Sequence, residues 1–342
     1  MSDAVVVRPV RAADAPALQA LADLLDTVNL PDDPAVIATI IADSERSFAA
    51  LDAGGLVPGF DHKHAGYTMV AVADGKLLGT GSLFAFHGMP DEPHYYLKVV
   101  EATVHSKQLN AERKRTMLRL GKDVEPWTEL GGLVVHPDAR GKGVGKLLVA
   151  ARLLLVAMHP TRFCKRLLAE LLPPRREDGS NAFWDAIGAK VTGLTYYRAD
   201  LLCRTDKEFI EAFFPHDELV ADLLPPEAQA LIGQEGPATT PVRALLRRAG
   251  FRYQGTVDPF DAGPHDGAEV SEIGPIQRSR RLVRLDREPA ATQPYLIGSH
   301  ATHTFAQLPG EVVKHGVRIA EADARAIGIE AGDECFVMPM DW

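Results

Sequence analysis

Residues Val134 to Leu155 read VVHPDARGKGVGKLLVAARLLL, with Gly141, Gly143 and Gly145 at alternate positions, Arg140 in front and an apolar helical run behind. A strand, a tight loop and a helix N-terminus in that order form a general anion site, because unpaired N–H groups and the positive end of the helix dipole converge there. The glycines let the backbone pass close to an oxyanion where a Cβ would block it, and Arg140 and Lys142 add charge at the rim. Phosphate is the expected guest. Two better-known phosphate loops do not fit: no Gly-Lys-Ser/Thr closes the loop as in a Walker motif, and no acidic residue stands at the distance a dinucleotide site requires. A nucleotide-binding oxidoreductase is set aside on that ground.

The elements that must position this loop alternate between strand and helix. Val5 to Val10 reads as a strand, Ala13 to Leu25 as a helix entered through Asp14, and Pro34 to Leu51 as a second helix. TMVAVADGKLLGTGSLFAF alternates and turns at Asp74-Gly75 as a hairpin should. Tyr95 to His105 is a further strand, Glu129 to Val135 is the strand feeding the loop, and Gly145 to Met158 is the helix behind it. Leu147, Leu148, Ala151, Leu154 and Leu155 form that helix's core stripe. Beyond it come a strand at Arg166 to Leu172, a short helix at Ser180 to Ile187, a strand at Val191 to Arg198, a proline-broken helical region at Asp206 to Leu231, and a helix closed by Gly250 followed by a strand. The polar, two-proline segment Asp286 to Pro294 reads as a linker to a small β-rich tail with one helix near Ala320 to Ala326. The expected class is therefore α/β: a mixed sheet flanked by helices, with extra C-terminal elements and a small β-rich tail, divided as 1–200, 201–285 and 290–342.

The whole chain narrows the function classes. At 342 residues it can bury more than one core, and 46% apolar with 24% charged residues describes an ordinary globular protein. Lys+Arg number 37 against Asp+Glu 46, a net charge of −9, so there is no basic field for nucleic acid or an anionic membrane. No stretch reaches membrane-spanning length and no signal segment opens the chain, so a cytoplasmic protein is expected. Cys164, Cys203 and Cys335 lack disulfide or zinc spacing and read as small buried hydrophobes; no metal site is expected.

The stretch from Leu133 to Gly145, LVVHPDARGKGVG, resembles the acyl-CoA-binding motif of the Gcn5-related N-acetyltransferase superfamily. The resemblance implies that Leu133, Val134, Val135 and the loop Arg140, Gly141, Lys142, Gly143, Val144, Gly145 bind the coenzyme. The strand would splay from its neighbour to receive the pantetheine arm. AFWDAIGAK lies where the superfamily's later helix belongs. Further stretches, among them ATVHSKQLN, EDGSNAFWDAIG, YRADLL, LLPPEAQALIGQ and RRAGFRYQGTVDPFDAGP, resemble the arginine N-succinyltransferase family over roughly residues 5 to 281. What this implies is an acyltransferase α/β fold and succinyl transfer from succinyl-CoA, or another acyl-CoA, to the amino group of arginine or a related amine. No tightly bound cofactor is implied, and a homodimer or a heterodimer with a paralogue is.

The departures from the family fall where chemistry is expected. Gly236 stands where the family carries the histidine taken as its catalytic acid, Glu170-Leu171-Leu172-Pro173 replaces Glu-Met-Arg-Gly, and Thr27 to Pro31 is altered as well. Aminolysis of a thioester needs a base for the amine proton and donors for the oxyanion. The candidates for the base are Glu129, ahead of the splayed strand; Glu235, beside the missing histidine; His216; and His105, within a family-like stretch. Phe183 or Trp184 stands where relatives place an acidic tyrosine, and neither can donate a proton to a thiolate. The runs Arg113-Lys114-Arg115 and Arg175-Arg176 read as solvated faces, and Arg247-Arg248 as the exposed end of its helix. The competing class is a non-catalytic, coenzyme-binding partner subunit.

Overall fold

In the computed structural model, which describes residues 4–25, 30–54, 57–203 and 206–342, strand β1 is Val6–Pro9 and is followed by helices α1 (Ala15–Leu25) and α2 (Pro34–Asp52). Asp33 caps α2, accepting from the N–H groups of Ala35 and Val36, with Pro34 preset for the first turn. Asp14 does not act as the N-cap expected of it. It ends a short turn ahead of α1, and its carboxylate accepts a two-pronged contact from Arg8 at 2.7 and 2.8 Å. Residues 27–29 of the altered stretch lie outside the described residues.

Strands β2 (Gly66–Ala73) and β3 (Lys76–His87) form the expected hairpin, and Asp74 and Gly75 turn it at φ 50° and 71°, the positive values its two turn positions demand. Strands β4 (His94–Ser106) and β5 (Ala111–Asp123) make a longer one, paired from His94↔Asp123 to Ser106↔Ala111. β5 is hidden in the sequence because the far part of this ribbon is solvated on both faces, so its Arg113-Lys114-Arg115 run shows no alternation. Next come β6 (Trp127–Val135), α3 (Val144–Met158), β7 (Arg166–Glu170), α4 (Ala182–Ala186), α5 (Gly188–Thr192), α6 (Tyr196–Cys203), α7 (Glu208–Phe213), β8 (Leu219–Val220) and α8 (Pro226–Gln229). The chain then forms α9 (Thr240–Ala249), β9 (Arg252–Val257), β10 (Pro264–Glu269), α10 (Gly274–Gln277), β11 (Arg280–Leu285), β12 (Gln293–Ser299), β13 (Phe305–Val313), β14 (Gly316–Ile319), α11 (Glu321–Ala326) and β15 (Glu334–Pro339). The strand expected over Val191 to Arg198 is instead the end of α5 and the start of α6. Tyr196 and Ala199 bury at helical spacing, and Trp184 Nε1 donates to the Leu194 carbonyl between the two helices.

The strands run in the order β12-β15-β11-β14-β13-β1-β2-β3-β6-β7-β10-β9-β4-β5-β8, parallel only at β6–β7 and β11–β14. This is the mixed, helix-flanked sheet that the α/β reading anticipates. β12 also pairs with β13, so the last five strands close on themselves around a core that includes Leu282, Ile297, Leu308 and Val317. β11, which precedes the polar linker, belongs to this closed set. β1 joins it to the central sheet, pairing β13 on one edge and β2 on the other. α3 lies between the two and packs on strands of both, so it is buried nearly all round and not on one stripe. No helix among the described residues is long and apolar enough to cross a membrane.

Candidate active site

β6 and β7 are paired only at Thr128↔Leu167 and Glu129↔Leu168; beyond Glu129 they part, as a splayed coenzyme strand should. On its other edge β6 bulges: its register against β3 steps from Ser82↔Gly131 to Thr80↔Val134, and Gly132, at φ 58°, absorbs the extra residue. Arg152 of α3 lies beneath the bulge. Its Nη1 donates to the carbonyls of Ser82 and Gly131, each at 3.0 Å, and its Nε to that of Leu148 at 3.2 Å. Only 1% exposed, its guanidinium is pulled down to about 10 by burial, opposed by the charge of Glu129. The gap between β6 and β7 opens into a cleft of about 910 Å³.

One end of the cleft is the glycine loop. Gly141 and Gly143 hold φ values of 74° and 83°, and no atom stands within 4 Å of where a Cβ would be, so their faces are open. Gly143 is the N-cap of α3, whose first N–H groups point out at this end. Leu133, Val134, Val135, Arg140, Gly141, Gly143 and Gly145 line the cleft, and Lys146 and Arg248 add positive charge. Two of the expected loop residues do not line it: Lys142 is exposed to solvent, and Val144, 2% exposed, turns into the core. Arg175 and Arg248, read from the sequence as solvated, line the cleft.

The other end is acidic. Glu129, Glu170, Asp200, Asp258 and Asp261 line it together with His87, His94 and Tyr196. Gly131 leaves room for the base candidate, because a Cβ there would sit 2.8 Å from Glu129 Oε1. His87 stands between two carboxylates, Nδ1 at 3.4 Å from Glu129 and Nε2 at 3.5 Å from Glu170. His94 Nε2 lies 2.9 Å from the same Glu170 oxygen, though neither ring nitrogen is aligned for a hydrogen bond, so the contact is electrostatic. Burial, with the neighbouring Glu170 charge, raises the Glu129 carboxyl above its ordinary range. Burial also works against the charged form of Glu170, but His87 and His94 outweigh it and hold that carboxyl well below its ordinary range. For His94 the penalty of burial is overcome by Asp123 and Glu170, which lift it to about 9. Asp258 accepts from the N–H groups of Phe260 and Asp261 at 2.7 and 3.1 Å, while Asp261 accepts from the Gly263 N–H at 2.8 Å and the Tyr196 hydroxyl at 3.1 Å. Burial pushes Asp258 well up and Asp261 to about 7.

Of the four base candidates only Glu129 lines the cleft. His105 is exposed on the solvated part of the β4–β5 ribbon, opposite Glu112. His216 is exposed, with Nε2 2.8 Å from the Glu211 carbonyl of α7, where it closes that helix. Glu235 is ion-paired with Arg243, which binds the fully buried Asp266 at 3.0 and 2.9 Å. Burial would raise Glu235, but backbone and Arg243 contacts hold it below its ordinary range, as a structural carboxylate. Gly236 does line the cleft, and its surroundings explain the missing side chain: a Cβ would come within 2.8 Å of the Pro173 carbonyl oxygen and 3.2 Å of Pro174 N. The backbone at Pro173 and Pro174 thus leaves room at 236 for a glycine only. Phe183 and Trp184 are both core residues at 0% exposure. Cys203 lines the cleft, where the sequence suggested an ordinary buried hydrophobe. His87, His94, Tyr196, Asp258 and Asp261 escaped the sequence reading; the stretch DPFDAGP, which holds the last two, and YRADLL, which begins one residue after Tyr196, were the only signal.

The family model described as arginine N-succinyltransferase beta subunit matches residues 5–275. The arginine N-succinyltransferase of Enterobacter sp. (strain 638) is 32% identical over 290 residues, covering 83% of this chain and 82% of that protein. The arginine N-succinyltransferase subunit beta of Pseudomonas aeruginosa is 34% identical over 342 residues, covering 98% of each. Among solved structures, that of arginine/ornithine succinyltransferase subunit AI from Pseudomonas aeruginosa matches with a TM-score of 0.81 at 28% identity, again over 98% of each chain.

Proposed function

Because the chain belongs to the arginine N-succinyltransferase family, it is an acyltransferase, and we propose that it transfers a succinyl group from succinyl-CoA to the amino group of arginine or a related cationic amine in a ternary complex. The observation that carries this reading is the charge lining one continuous cleft: Arg140, Lys146 and Arg248 by the glycine loop, and at the other end the carboxylates Glu129, Glu170, Asp200, Asp258 and Asp261, which outnumber the cations Arg175 and Lys207 among them. The first end suits the coenzyme's phosphates and the second a substrate with positive charge in excess. In this reading the pyrophosphate rests on the Gly141 to Gly145 backbone and the pantetheine arm runs along Leu133 to Val135. The thioester then lies at the parting of β6 and β7. Residues 1–200 would supply the acyl-CoA half, 201–285 would complete the acceptor end through Asp258 and Asp261, and 290–342, closed together with β11 and joined to the central sheet through β1, would back α3. A dimer, with itself or with a paralogous chain, is proposed on the strength of relatives named as subunits.

Glu129 is assigned as the base, on position: it stands where the strands part, with His87 fixing its carboxylate from behind at 3.4 Å. The amine nitrogen attacks the thioester carbon while its proton passes to Glu129, the C–S bond breaks, and the coenzyme leaves as a thiolate. A thiolate is a far better leaving group than an alkoxide or amide and can depart without a general acid, so Gly236 does not by itself disable the reaction.

The test is turnover of succinyl-CoA with arginine, ornithine and lysine by the purified chain, followed by thiol release and product mass. Succinylated arginine or ornithine is expected, and E129Q should lower kcat by about 10²- to 10⁴-fold with KM for succinyl-CoA nearly unchanged. Coenzyme binding without any acylated amine would favour the partner-subunit reading, for which the missing histidine argues.

A further inference from the structure

Two buried histidines, His94 and His265, and the half-buried His87, on three different strands, turn toward one carboxylate. Each of their outer ring nitrogens faces an oxygen: His87 Nδ1 lies 3.4 Å from Glu129, His94 Nδ1 3.8 Å from Asp123, and His265 Nδ1 3.3 Å from the Thr256 hydroxyl. Each of their Nε2 atoms is buried and without a hydrogen-bond partner. His94 and His265 are 5% and 1% exposed. The Nε2 atoms of His87 and His94 approach a single oxygen, Glu170 Oε1, at 3.5 and 2.9 Å. Unpartnered buried ring nitrogens carry a desolvation cost that a protein rarely tolerates without a ligand.

We infer that His87 Nε2, His94 Nε2 and the Glu170 carboxylate hold one divalent transition-metal ion, zinc before others, at the acidic end of the cleft. For tetrahedral zinc with ligands at about 2.1 Å the ligand-to-ligand edge is about 3.4 Å, which the 2.9 and 3.5 Å separations bracket. Two imidazoles with one carboxylate is a zinc-type donor set, and three protein ligands leave the fourth position open toward the cleft. Glu129, 3.4 Å behind His87 Nδ1, is placed as the outer-shell carboxylate that a metal-bound histidine uses to fix tautomer and orientation, while Asp123 lies 3.8 Å from His94 Nδ1. Glu170 belongs also to a second trio with Asp258 and His265, whose ligand atoms lie within 4.8 Å of one another. His265 therefore stands as a fourth donor should the ion shift across the carboxylate. The inference rests on this geometry and not on the acyl-transfer reading, so either can fail alone.

The experiment uses the full chain, purified without a histidine tag, stripped with a chelator and titrated with Zn²⁺ and with Co²⁺. One ion per chain is expected by elemental analysis, and Co²⁺ should show the intense visible absorption of a tetrahedral site. H94Q and E170Q should lose at least about a hundred-fold in affinity, E129Q about ten- to a hundred-fold through the orientation of His87, and the exposed-site control H216Q none. Should H94Q fail to fold, E129Q, which keeps every ligand, carries the same decision. The proposal is overturned if the stripped protein takes up no stoichiometric ion, or if uptake is unchanged in E129Q and E170Q. It is overturned equally if nuclear magnetic resonance finds His94 carrying protons on both nitrogens in the presence of Zn²⁺.

Discussion

Replacing Arg152 by methionine tests how the coenzyme strand is held. The guanidinium donates to three main-chain carbonyls, two of them at the β6 bulge, and no carboxylate touches it. Hydrogen bonds from a charged donor contribute about 1.5 to 3 kcal/mol each, so about 5 to 9 kcal/mol is at stake. Against this stands the cost of the buried charge. The fall from 12.5 to about 10 corresponds to about 3 kcal/mol disfavouring the ion. Methionine fills most of the volume, so cavity formation adds little. The net expectation is a loss of about 2 to 5 kcal/mol, or roughly 4 to 10 °C in Tm at about 2 °C per kcal/mol for a chain of this size. With Ser82 and Gly131 carbonyls left without donors the bulge should relax, and KM for the acyl-CoA should rise more than kcat falls. Thermal unfolding by circular dichroism and steady-state kinetics measure both. Replacing a buried ion pair by apolar residues is often neutral or stabilising. If R152M unfolds at or above the parental temperature with its KM unchanged, the guanidinium is not what holds the bulge.

Two further outcomes follow from other parts of the chain. G143A meets no steric obstacle but places an L-residue at φ 83°, a left-handed conformation costing about 1 to 2 kcal/mol, and aims a methyl at the coenzyme face; Tm should drop by a few degrees and KM for acyl-CoA rise about ten-fold, and an unchanged KM would remove the loop from the coenzyme site. His159, held down to about 4 by burial and by His303, His300 and Arg162, takes up a proton near 6.5 when unfolded but not when folded, so its contribution is whole above pH 6.5 and is lost as pH falls toward 4. After discounting for its partial exposure this amounts to about 2 kcal/mol. H159N should show a correspondingly shallower loss of stability over that window in urea titrations, and parallel curves for parent and variant would refute the assignment.

Much of this protein is written locally. The glycine loop, its strand, α3 and the Asp74-Gly75 hairpin could be read from the chain because each depends on neighbours a few residues away: a positive φ, a helix start, a period of two or 3.6. Glu129 was legible for the same reason, as it precedes the loop strand by a short, fixed spacing. The expected strand at Val191 to Arg198 failed because its side chains pack on Trp184, and that contact settled a helical period over an ambiguous pattern.

The acidic end of the cleft was not legible, since His87, Glu129, Glu170 and Asp258 come from β3, β6, β7 and the turn after β9. They meet only because β6 and β7 pair at two positions and then part. Arg152 looked like one more residue in an apolar helix until β3 and β6 were laid against it. The vacancy at 236 was visible as a missing histidine, but its cause, the backbone of Pro173 and Pro174 filling that space, belongs to another segment. Backbone conformation is set by short-range sterics, so the sequence by itself determined the family, the loop and most elements. Burial, convergence of charge and the direction of each titrating group depend on which distant strands pair, and those only the tertiary structure decided.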